Sequence, residues 1–170
     1  MALRADSIFH FVRPFKAGIG ILAPRGVGEP IAQLEMSQFR SLLETALERG
    51  DKLESLLGMQ ILLEGLGDVA LSRISAGFAS RNLSFNRVRK LIVGQEDAHH
   101  SFGIRRFQQL MSTRPAEWQR MRHQSNLYLE VLDSMLHTLQ PFFEFFDEQA
   151  EDYLGELQDM LPAELKLAVA

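Results

Sequence analysis

The sequence contains no cysteine. That absence removes cysteine-ligated zinc, iron–sulfur clusters, thiol nucleophiles and disulfides together, leaving histidine and carboxylates as the serious metal ligands. Basic charge is also short. Eighteen Lys and Arg stand against 22 Asp and Glu, for a formal net charge of −4. That balance speaks against a nucleic-acid partner, because phosphate binding wants a basic face. The longest uncharged apolar stretch near the start, Ala17 to Pro24, is too short to cross a bilayer and has neither the run nor the cleavage site of a secretory signal. No membrane span and a cytoplasmic location are the expectation.

What is present is an ordinary globular composition, 46% hydrophobic and 24% charged over 170 residues. A chain of this size can bury one core without staples. Breakers crowd the beginning: Pro14, Gly18, Gly20, Pro24, Gly26, Gly28 and Pro30 exclude any long helix there. The expected organisation is an irregular segment over 1–30 and a helical domain over 31–170.

From Ile31 onward the pattern is helical, and no useful strand-like alternation appears. A first helix is expected over 30–49, stopped by Gly50-Asp51, and a second over 52–80. A third starts after Ser84 as N-cap and ends near Met111. A fourth begins at Pro115, suited to a first helical turn, and runs to Leu139. Pro141 kinks or breaks the chain, and a fifth segment continues to about Met160. All-α is the fold class. The two helices of nearly 30 residues read as a long antiparallel hairpin, the building unit of a four-helix bundle.

The positions of the acidic residues carry the chemistry. In the second helix the apolar stripe is Leu53, Leu57, Ile61, Leu71, Ile74 and Phe78, and Glu64 falls within it. In the third it is Phe85, Val88, Ile92, Phe107 and Leu110, with Glu96 at its centre and His99 one turn on. His100 falls on the opposite shoulder. A core-facing carboxylate is costly unless paired, protonated or metal-bound. Glu64 lies about 18 residues before the turn near residue 82 and Glu96 about 14 after it. At about 1.5 Å per residue the two are nearly level. Glu96-x-x-His99 sets an oxygen and a nitrogen ligand on one helical face.

The segment Gln95-Glu96-Asp97-Ala98-His99-His100-Ser101-Phe102-Gly103, preceded by Leu62-Leu63-Glu64-Gly65-Leu66-Gly67, resembles the metal-bearing helices of ferritin-like di-iron carboxylate proteins. The subset it is similar to is the ribonucleotide reductase small-subunit-like oxygenases, including arylamine N-oxygenases. The likeness covers 59–111. It implies a ferritin-like four-helix bundle in which Glu64 binds one iron, Glu96 bridges, and His99 supplies nitrogen to the same half. Two irons per chain are implied if the site is complete, with manganese as an alternative metal. The family needs a second lone glutamate and a second E-x-x-H, and no second E-x-x-H follows.

Other ligand candidates are weaker. Glu130, with Asp133 and His137, shares a fourth-helix stripe that is polar along its length, so solvation explains it. Glu144, Glu148 and Glu151 lie opposite Phe142, Phe146, Tyr153 and Leu157 and read as a solvated face. Glu35 lies in the apolar stripe of the first helix beside Ile31, Phe39, Leu42 and Ala46, and should sit level with Glu64. It is either a fourth ligand, the third carboxylate beside Glu64, Glu96 and His99, or a helix-start carboxylate facing the dipole. Tyr128 and Tyr153 lie on core-facing arcs, where packing suffices to explain them.

The resemblance implies an oxidoreductase activating dioxygen on a small organic substrate. An iron-handling protein without organic substrate and a non-catalytic scaffold with a degenerate site are the alternatives. The aromatics at Phe142, Phe143, Phe145 and Phe146 suit either a homodimer contact or the cap of the bundle's own core.

Overall fold

The computed structural model describes residues 29–80 and 86–166, with side chains for 34–77, 79 and 98–166. The expected irregular segment and the Ser84 cap lie outside the described residues, apart from positions 29 and 30. Among the described residues every regular element is helical, so the chain is all-α as expected.

Helix α1 spans Glu29–Glu48. It stops where expected, at Gly50, whose φ of 66° lies in the left-handed region that glycine enters without steric cost. Asp51 then caps the next helix by accepting from the Glu54 amide at 3.1 Å. That helix is one rod of three parts: α2 (Lys52–Leu56), a π-helical segment (Leu57–Leu63) and α3 (Glu64–Ser80). In the π segment the Glu64 N–H donates to the Met59 carbonyl, five residues back. The wider turn shifts the phase of everything after it. The interior line runs Leu53, Leu57, Ile61 before the shift and Leu62, Leu66, Val69, Ala70 after it. Leu71 and Ile74, expected in the core, are therefore only half-buried.

Helix α4 spans Asn86–Ser112. A 3-10 turn at Pro115–Glu117 leads into α5, Trp118–Thr138, with proline at the start as expected. Helix α5 runs antiparallel to α1, since Arg120 meets Asp51 at 2.6 Å and Ser134 meets Glu35 at 3.3 Å. Its polar stripe is exposed at Gln119, His123, Glu130 and His137, while Tyr128 is wholly buried against Phe39, with ring centroids 5.1 Å apart. Leu57, Ile61, Phe107, Met111, Tyr128 and Leu132 form the centre of the core.

The fifth segment ends at Met160 as expected, but it is not continuous. It divides into α6 (Gln140–Phe143), a 3-10 turn (Glu144–Phe146) and α7 (Ala150–Met160). Asp147 breaks it in a left-handed conformation, φ 60°, which Asp tolerates better than most residues. A reciprocal cap between Gln149 and Asp152 restarts the helix. The break turns Phe143 and Phe146 into the core and leaves Phe145 exposed. It also brings Glu148 off the expected solvated face: the carboxylate is half-buried, accepts from the Tyr153 hydroxyl, and meets Arg73 Nε at 3.4 Å. Arg73 further pairs with Asp152 and Glu156, clamping α7 across α3.

The stretch Lys52–Gly77 is long and apolar enough to cross a membrane by length and composition alone, and half of it is buried within this chain. The central helix of a packed bundle has that composition too.

Candidate metal half-site between α3 and α4

The α3–α4 contact is set by two glycine notches. A Cβ on Gly103 would stand 2.6 Å from the Gln60 Cβ, so α4 and the π segment meet almost backbone to backbone. A Cβ on Gly65 would stand 3.0 Å from His100 Nε2 and 3.0 Å from Leu157 Cδ1. The pairs 60/103, 64/99 and 65/100 run in opposite directions along the two helices, which makes them antiparallel.

Glu64 lies between these notches. It is the first residue after the π segment and is only 7% exposed. His99 Nδ1 stands 3.9 Å from Glu64 Oε1. The His99 ring itself is 53% exposed, so it lies on the rim and not in the core as its stripe suggested. The buried histidine is His100, at 4%. The reason is the phase of α4: its interior line is His100, Gly103, Phe107 and Met111, set by the Gly103 notch. Position 96 stands one turn before His100 on that helix; the Glu96 side chain lies outside the described residues.

Glu35 is buried, 6% exposed, as its stripe implies. Its carboxylate accepts from Ser134 Oγ of α5 at 3.3 Å, and its other oxygen is buried without a hydrogen-bond partner among the described residues. Helix α1 packs along α5 and against α2. Glu130 is exposed, on a shallow groove with Gln38, Leu42 and Val131. Among the described residues no three His, Asp or Glu side chains gather tightly enough to hold a metal. The pair Glu64–His99 is what the described side chains bring together.

One buried carboxylate escaped the sequence reading. Glu54 is 2% exposed and meets Arg49 at 2.8 Å and Arg120 at 3.5 Å. Burial pushes its carboxyl up, helped by the charge of Asp51 and opposed by Arg49 and Arg120. Asp51 goes the other way. Burial raises it, but the Arg120 hydrogen bond, the Glu54 amide and the charges of Arg120 and Arg49 outweigh that and hold it low. This cluster ties the α1–α2 turn to the start of α5, and its charges are mutually satisfied.

No protein-family model, curated protein or solved structure matches the chain.

Proposed function

We propose that the protein is a metal-binding helical bundle of the ferritin-like di-iron carboxylate kind, with iron or manganese held at Glu64, Glu96 and His99. The observation that carries this reading is the buried Glu64 carboxylate, at the end of a π-helical segment, facing an imidazole nitrogen at 3.9 Å. π-helical turns inside α-helices recur at functional sites. The separation is too long for a hydrogen bond. It falls within the ~3–4 Å that separates two donors on one ion at ~2.1 Å each. Carboxylate oxygen with imidazole nitrogen is a donor set suited to iron and manganese. The antiparallel packing of α1, the α2–α3 rod, α4 and α5 supports a ferritin-like four-helix bundle.

Iron bound there would supply dioxygen activation toward a small organic substrate. Glu64 contributes the buried negative charge that favours a cation over solvent, and His99 contributes a nitrogen at the rim, where solvent and small molecules have access. The test is metal content. Purified protein supplied with ferrous iron or manganese is expected to retain metal through desalting, and Glu64→Ala and His99→Ala are each expected to lose it while keeping their helical content. Metal-free wild type, or variants that retain wild-type metal, would refute the reading.

A further inference from the structure

Two turns meet at one end of the bundle, the α1–α2 turn at Gly50 and the α4–α5 turn at Arg114. Between them lies an open recess of about 500 Å³ with mostly polar walls. Four of its side chains are cationic, Arg49, Lys52, Arg114 and Arg120, and two are acidic, Asp51 and Glu117. Glu54, buried beneath Arg49 and Arg120, still leaves an excess of positive charge. The chain as a whole is negative, at −4, so this end runs against its average.

The cations are of two kinds. Arg120 and Arg49 are held in place: Asp51 takes Arg120 Nη1 at 2.6 Å, Glu117 takes Arg120 Nε at 2.6 Å, and Glu54 takes Arg49 Nη2 at 2.8 Å. Donors are left over. Arg120 Nη2, with Nε and Nη1 of Arg49, meets no acceptor among the described residues. A guanidinium fixed along one edge is preorganised, so a ligand at its other edge has little left to order. Lys52 and Arg114 are exposed and pair with no acid among the described residues. Their charge is uncompensated. Gly50 keeps the floor bare, since nothing stands within 4 Å of where a Cβ would be.

Planar forks and an ammonium around a small open recess match the oxygens of a tetrahedral oxyanion. Asp51 and Glu117 border the same recess and repel the further phosphates of a long polyanion. We propose that this recess binds one phosphoryl group, carried by a phosphate monoester or present as inorganic phosphate. Lys52 and Arg114 supply the charge, and Arg49 and Arg120 the oriented donors. The recess is separate from the half-site: Glu64 stands 12 residues past Lys52, about 18 Å along the rod.

Calorimetric titration of the full chain at low salt, with inorganic phosphate and with phenyl phosphate, tests this. One saturable site per chain is expected, weakened by added sodium chloride. Tighter binding of phenyl phosphate identifies an ester as the ligand, and equal affinity identifies the free ion. Replacing Lys52→Ala and Arg114→Ala together is expected to weaken binding by about tenfold, with thermal unfolding unchanged because both side chains are exposed and unpaired. Arg122→Ala removes an exposed arginine of α5 outside the recess and should leave binding as it was. Glu64→Ala should also bind phosphate like wild type. Absence of saturable binding, or full binding by the Lys52 and Arg114 double variant, would overturn the site. An equal loss in Arg122→Ala would reduce the effect to net charge and overturn it too. Loss in Glu64→Ala would move the phosphate to the half-site. A single-stranded oligonucleotide bound more tightly than either probe, through the same Lys52 and Arg114, would replace the small ligand by a nucleic acid.

Discussion

Gly103→Ala isolates a close helix contact whose nearest neighbour is fixed to the backbone. The added methyl would meet Gln60 Cβ at 2.6 Å, Gln60 Oε1 at 3.2 Å and the Gln60 carbonyl carbon at 3.4 Å. Carbon atoms rest about 3.5–4.0 Å apart, so the two helices must separate by about 1 Å. Gln60 cannot swing aside, because the nearest atom is its Cβ, fixed to the backbone. The same substitution gains about 1 kcal/mol of helix propensity. Overpacking against a fixed neighbour costs about 1–3 kcal/mol, and here the upper part of that range applies. The net loss is about 1–2 kcal/mol. For a domain of this size that lowers Tm by about 2–8 °C.

The control is Gly155→Ala in α7, where nothing stands within 4 Å of the added methyl. There only the propensity gain operates, and stability should rise by about 0.5–1 kcal/mol. Thermal unfolding followed by circular dichroism measures both. The opposite signs are the point, since any general effect of replacing glycine by alanine would move the two variants together. A Gly103→Ala protein as stable as Gly155→Ala would show that α4 is not locked against the π segment and would refute the packing argument.

Three further expectations follow from the polar contacts. Tyr153→Phe removes the hydroxyl that donates to Glu148, a bond to a charged group in a half-buried setting, and should lower stability by about 1–2 kcal/mol in urea titration. Tyr128→Phe should leave stability equal or higher by the same assay, because that hydroxyl is buried without a hydrogen-bond partner among the described residues; a loss matching Tyr153→Phe would contradict this. Asp51 and Glu54 should leave opposite marks on the pH profile. Asp51 is held below 3.8, so its contribution is present at higher pH and disappears as pH falls through its folded value. Glu54 is raised above 4.5, so the folded state takes up that proton first and stability from this group rises as pH falls toward 4.5. Urea midpoints between about pH 3 and 7 should show Asp51→Asn flattening the acid loss and Glu54→Gln removing the rise; variants with the wild-type profile would contradict the assignment.

Helix limits were legible because they depend on local chemistry: Gly50 ends α1, Asp51 caps α2, and Pro115 opens the turn before α5. The π segment was not, since Leu57–Leu63 is a run that an ordinary α-helix accepts equally well. Its phase shift displaced Leu71 and Ile74 from the core. His99 and His100 exchanged places for a related reason. A glycine carries no hydrophobic signal, so Gly103 gave no hint that the interior line of α4 passes through it and through His100. Glu54 was hidden by its partners: Arg49 lies across the α1–α2 turn, and Arg120 is separated from it by 66 residues. Glu64 and Glu35 were found because each interrupts an apolar stripe, a signal that survives small errors of phase.

The same notches bear on how the half-site would work. Glu64 lies between the Gly103–Gln60 contact and the Gly65–His100 contact, and His99 adjoins His100, so the distance between their backbones is set by helix packing and not by the ligands. Such a site is preorganised, and it cannot close to follow a shorter ligand. Glu64→Asp tests this directly. The change withdraws the carboxylate by about 1.5 Å, one carbon–carbon bond, while keeping its charge and leaving the helices in place. If the spacing is fixed, Asp should lose metal nearly as completely as Ala, with helical content unchanged. If α3 and α4 slide freely, Asp should retain most of the wild-type metal, and that result would refute the claim that the glycine notches set the geometry.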